Sequence, residues 1–231
     1  MLSNNRQNTN VIIAGIQKVL LYIMVLFLPV SIMPFPWDLT EKGMILVVLL
    51  FTILITSLEI VKIIWTGKIN FLKRDIDFVL FSLLLAFIFS TIFANDTNLS
   101  LFGYDYQLSS GLIGLTSIFL ITFLVRTFIN SKEEVLKLLN FFFAGSILTS
   151  FLSLVSIFGG NIFNLIPKIG VVGVEGLPTL GSPSSLVLFN CITIILGYIA
   201  LQLYKTNEEK NDASWFVIVT IIVNIVSLVL F

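Results

Sequence analysis

The sequence predicts an all-α, polytopic transmembrane bundle of about seven membrane-spanning helices with a cytoplasmic N-terminus. Three observations predict it. Of 231 residues, 57% are hydrophobic and 11% are charged, against ~25% charged in soluble domains. The apolar residues gather into seven runs near the ~20 residues a helix needs to cross a bilayer. The 13 Lys and Arg residues fall mostly on one side when those runs are threaded through a membrane in turn. With a mean hydropathy of +1.06, too few charges remain to coat a soluble sphere. A soluble enzyme, an acidic disordered tail and a basic nucleic-acid binder are excluded. The chain has no His and a single Cys, Cys191. There is thus no imidazole base or ligand, no intrachain disulfide and no thiolate cluster.

The first run extends from Val11 to Met33 behind a polar N-terminal decapeptide. No small-x-small cleavage signal follows it, so it reads as an uncleaved helix. Pro34, Phe35, Pro36 and Trp37 make a stiff turn, with Trp37 as an interfacial aromatic. The second run is Met44 to Trp65, followed by a basic loop to Ile76. The third is Phe78 to Ala94 and the fourth Gly111 to Ile129. Ser131-Lys132-Glu133-Glu134 reads as a capping box that opens the fifth run, Val135 to Phe158. The sixth is Ser185 to Tyr204 and the seventh Trp215 to Phe231. Many of these residues are β-branched or aromatic and favour strands in water. In lipid each backbone polar group must be satisfied within its own segment, so long continuous runs become helices.

With the N-terminus inside, Arg6, Lys18, Lys62, Lys68, Lys73, Arg74, Arg126, Lys132, Lys137, Lys205 and Lys210 lie on the inner side. Lys42 and Lys168 lie outside. Two outer loops are longer than a connection needs, 95–110 and 159–184. The first mixes polar residues with Leu101, Phe102, Tyr104 and Tyr106, as an interfacial loop does. The second holds Gly-Leu-Pro-Thr-Leu-Gly-Ser-Pro at 176–183, where Ser182 or Ser184 caps the sixth helix and Pro183 enters its first turn.

Ionisable groups inside the runs are functional candidates by default. Here they are few. Glu59 and Lys62 are three residues apart and suit a structural pair. Lys18 and Arg126 suit anchors at the inner ends. Asn190 and Asn224 suit interhelical hydrogen bonds, and Ala86/Ser90 and Ala144-Gly145-Ser146 suit close helix packing. Cys191 reads as an inert helix residue. No mid-bilayer carboxylate marks an ion-coupled transporter.

The outer loops carry a resemblance. The third run ends Ser90-Thr91-Ile92-Phe93-Ala94. Leu99-Ser100-Leu101-Phe102-Gly103, Gly111-Leu112, and Pro178-Thr179-Leu180-Gly181-Ser182-Pro183 then follow in order. This series resembles the N-terminal half of the O-antigen ligase and polymerase family of membrane glycosyltransferases. The resemblance implies a multi-pass protein of the cytoplasmic (inner) membrane, in contact with its lipids, acting on a polyprenyl-diphosphate-linked glycan donor at the outer face. The glycan passes to a hydroxyl of a glycan, lipid or protein acceptor, without metal or other cofactor and without nucleic acid. The substrate-binding residues it suggests are Lys168, Gly181, Ser182 and Pro183; it assigns no catalytic residue. Family members have Arg between the loop glycine and the Gly-Leu start, where this chain reads Tyr104 to Ser110, and Asn-Pro where it has Ser182-Pro183. The Arg- and His-bearing outer loop of the family's second half has no counterpart here. The expectation is therefore a single transmembrane domain, 1–231, forming the N-terminal half of a longer protein and inactive alone. The alternative is a non-enzymatic transport or assembly subunit for lipid-linked glycans.

Overall fold

The computed structural model describes residues 2–30, 41–67, 75–103, 111–157, 183–205 and 211–230. Eight helices and no strand occur among them: α1 (Leu2–Phe27), α2 (Glu41–Thr66), α3 (Asp75–Ile92), α4 (Thr97–Phe102), α5 (Leu112–Phe128), α6 (Lys132–Ile157), α7 (Pro183–Lys205) and α8 (Asn211–Leu230). Each apolar run read from the sequence is helical over most of its described residues; residues 28–30, Phe93, Ala94, Gly111 and Ile129 fall outside the helices. Among the described residues three stretches are long and apolar enough to cross a membrane: Val47–Trp65, Lys132–Val155 and Leu186–Lys205. Val11–Phe27, Phe78–Ile92, Leu112–Phe128 and Ser214–Leu230 are shorter apolar helices.

The helix ends follow local chemistry. The Ser131 hydroxyl accepts from the Glu134 amide and the Glu134 carboxylate accepts from the Ser131 amide, both at 3.3 Å. This is the reciprocal box expected from the sequence. Glu133 and Glu134 lie in the first turn of α6, whereas Arg126 and Lys205 lie in the last turns of α5 and α7. Each charge opposes the partial charge of its helix end.

The described residues divide into two compact units. One comprises residues 1–21 and 45–130, the other 22–44 and 131–231. In the first, α3 packs on α5, and α4 packs on both. Leu21, Ile55, Leu124 and Phe128 are its buried apolar side chains. The sequence suggests that Ala86 and Ser90 mark a close helix contact. The structure corrects this: both are exposed, and α3 turns Thr91 inward instead.

In the second unit α7 runs antiparallel to α8, as Asn190 meets Ser227 and Gly197 faces Val217 and Ile221. A Cβ on Gly197 would crowd Ile221, so the glycine lets these two helices close. The seam joins Leu136, Phe143, Ala200, Tyr204 and Val217 in one apolar cluster. Beyond that cluster Met24 and Leu186 are also buried, but most of the other buried side chains are polar. Ser146, Thr149, Ser150, Asn190, Thr193, Thr220, Asn224 and Ser227 are all buried, while Leu188, Ile195 and Val229 are at least 60% exposed. Polar residues inside and large apolar residues outside are what lipid, not water, selects. This is a membrane protein.

Candidate functional site

The motif-bearing residues of the first unit converge where α3, α4 and α5 meet. Asp96 caps α4, its carboxylate accepting from the Leu99 amide at 3.0 Å. The Gly103 amide closes the other end by donating to the Leu99 carbonyl at 2.8 Å. The Ser100 hydroxyl donates to Thr91 Oγ1 at 3.1 Å, and Thr91 donates to the Phe87 carbonyl at 2.9 Å. The short helix is thereby tied to the end of α3. A Cβ at Gly111 would collide with the Leu101 carbonyl oxygen and the Gly103 nitrogen. Glycine there lets the start of α5 close on the end of α4. The Leu99-to-Gly103 and Gly111-Leu112 segments are thus in direct apposition, although seven residues separate them in sequence.

The sequence reading places an interfacial loop over 95–110; residues 97–102 are instead a helical turn and a half. Asp96 as cap and Gly103 as stop are its signals in the sequence, set among scattered aromatics. Asn95 and Asp96 just before it and Asn98 within it are exposed. A carboxylate with two amides offers both acceptors and donors, a set suited to polyhydroxylated molecules.

Of the residues proposed from sequence to bind substrate, Lys168, Gly181 and Ser182 lie outside the described residues. Pro183 is the first residue of α7, the first-turn position expected for it. There its missing N–H costs no hydrogen bond.

The ionisable pair within α2 forms as its spacing suggests. Lys62 Nζ lies 3.1 Å from Glu59 Oε2 and 5.7 Å from the centre of the Phe128 ring. A third member escapes the sequence reading. Gln17, wholly buried, donates from Nε2 to the Ile55 carbonyl at 3.2 Å and to Glu59 Oε2 at 3.0 Å. The only hint in the sequence is an amide amid the apolar residues 11–33. Both Nε2 hydrogens face oxygen, which fixes the orientation of the amide, and Oε1 has no partner among the described residues.

Asn190 and Asn224 make the interhelical bonds expected of them. Asn224 Oδ1 accepts from Ser146 at 2.9 Å and Ser150 at 3.3 Å, and its Nδ2 donates to the Thr220 carbonyl. Asn190 donates to Ser227 at 3.1 Å. Asn140 and Tyr204 pair at 2.8 Å. Cys191 faces outward from α7. Among the described residues no three His, Cys, Asp or Glu side chains converge as a metal site. Comparison with protein-family models, curated proteins and solved structures finds no match to this chain.

Proposed function

We propose that this membrane protein crosses the cytoplasmic membrane seven times from an inner N-terminus and serves O-antigen-ligase-like glycan transfer. In this reading a polyprenyl-diphosphate-linked glycan is presented at the outer face and passes to an acceptor hydroxyl without a metal ion. The observation that carries it is the apposition of Leu99–Gly103 with Gly111-Leu112 on the end of α3. These are the segments whose order resembles that family. The exposed Asn95, Asp96 and Asn98 beside them add hydrogen-bonding groups suited to sugar hydroxyls. The inner excess of Lys and Arg supports the orientation. Lys168 is the proposed contact for the diphosphate, and Gly181, Ser182 and Pro183 shape the turn that presents it. A base for the acceptor hydroxyl and cations for the diphosphate are what such a transfer needs.

Two measurements test this reading. On a Cys191→Ser background, an impermeant maleimide should label Lys42→Cys from outside intact cells and Lys137→Cys only after permeabilisation. The reverse pattern overturns the topology. For the full chain in nanodiscs, Lys168→Ala should weaken binding of a polyprenyl-diphosphate-linked oligosaccharide about tenfold. Unchanged binding removes Lys168 from the site. Movement of that lipid between leaflets by the purified chain, with no glycosyl transfer, would favour the transport-subunit alternative.

A further inference from the structure

Within the first unit, a groove of about 360 Å³ opens between α2 and α5. Its walls are mostly aliphatic, from Leu49, Ile53, Ile60, Leu112, Ile113 and Leu120. Thr52, Thr56 and Ser57 on α2 and Thr116 and Ser117 on α5 break this lining, with Thr52 and Thr56 one turn apart. Both hydroxyl oxygens are buried and lack a hydrogen-bond partner among the described residues; Thr52 is 2% exposed.

That state is unusual for this chain. Thr91, Thr122, Thr127, Thr193 and Thr220 each donate to the carbonyl four residues earlier, at 2.8–2.9 Å. Ser57 and Ser117, which also line the groove, do the same. This back-bond is the usual outlet for a hydroxyl inside a helix. Thr52 and Thr56 forgo it, and both lie inside the Val47–Trp65 stretch, Thr56 at its middle and Thr52 one turn nearer Val47. Bulk hydrocarbon offers no acceptor at that depth.

We infer that the α2–α5 groove binds a membrane-soluble molecule with an apolar body and an oxygen acceptor, a ketone or ester carbonyl, which receives hydrogen bonds from Thr52 and Thr56. The volume decides the class of occupant. It falls at the small end of the range for small-molecule sites. A transmembrane helix would need a seat running the whole depth of the bilayer. The depth decides the polar group: a charged or phosphorylated head would have to leave water to reach mid-span. This site is independent of the glycan-transfer reading and stands or falls without it.

The test uses the full chain in nanodiscs and a long-chain alkyl ketone carrying a diazirine, with peptide mapping of the crosslinks. Labelling should saturate, map to residues 49–60 and 112–120, and yield to an unlabelled ketone. An alkane of equal length should compete about tenfold less well. The Thr52→Val/Thr56→Val variant keeps side-chain shape and should lose the preference for ketone over alkane. Thr116→Phe, which fills the groove, should abolish saturable labelling. Equal competition by ketone and alkane overturns the inference. So does an undiminished ketone preference in the valine variant, or labelling spread evenly over all helices as from bulk lipid. Thermal unfolding of each variant checks that it is folded.

Discussion

The two units treat buried polar groups in opposite ways. In the second, Asn224 serves two serines on α6 and one carbonyl on α8, Asn190 meets Ser227, and Asn140 meets Tyr204. From Asn190 to Tyr204 these bonds extend over ~20 Å of α7 at 1.5 Å per residue. In the first unit, Gln17 Oε1, Thr52 Oγ1 and Thr56 Oγ1 lack partners among the described residues. Among the described residues of the second unit, only the Asn190 carbonyl oxygen is in that state. In lipid, helices gain little by hiding apolar surface from one another, so small residues and polar bonds hold them together. The second unit is held in that way along its length. The first is tied by an amide–carboxylate–ammonium cluster and by the α3–α4–α5 corner, and leaves two hydroxyls beside a groove without partners among the described residues.

The sharpest way to break the comparison is at Gly145. A Cβ there would collide with the Leu26 carbonyl oxygen and crowd Pro29. Gly145→Leu should cost about 3 kcal/mol, at the upper end of overpacking effects, read as a lowered unfolding midpoint in detergent. Asn224→Leu should cost about 1–2 kcal/mol. A double-mutant cycle with Ser150→Ala should show coupling between the two, and additive losses would contradict their bond. Glu59→Leu should cost about 1 kcal/mol, because Gln17 and Lys62 lose an acceptor at a site only partly shielded. Glu59→Gln, which keeps an acceptor for Gln17, should cost less. Thr52→Val/Thr56→Val should change stability least and with the opposite sign, a gain of up to about 1 kcal/mol without ligand, since it removes unpaired hydroxyls. A loss equal to that of Asn224→Leu would show that the two units are built alike.

Much of this was legible in sequence where the determinants are local. The Ser131–Glu134 box and the Glu59–Lys62 pair follow from three-residue spacings, and both form. The amides of Asn190 and Asn224 could be assigned to helix packing because an amide inside an apolar run has few other outlets. Their partners could not. Asn224 meets Ser146 across 78 residues, and Gln17 meets Glu59 across 42. Nothing in the local spacing of either segment points to the other. Ala86 and Ser90 show the converse: a small-residue pair permits a close contact without requiring one. The α4 turn had its signals in Asp96 and Gly103, but a helix of that length is fixed by its bonds to α3 and its seat against Gly111 as much as by its caps.

By itself the sequence determined the apolar helices, their main caps and the membrane as solvent. Those depend on composition, run length and the requirement that each segment satisfy its own backbone. Only the tertiary structure decided which polar groups meet, which small faces stay bare, and that Leu99–Gly103 lies against Gly111. It alone left Thr52 and Thr56 at the groove without partners among the described residues. These outcomes depend on which helices become neighbours and in what register, and in lipid that choice is made by a few close contacts and hydrogen bonds between distant residues.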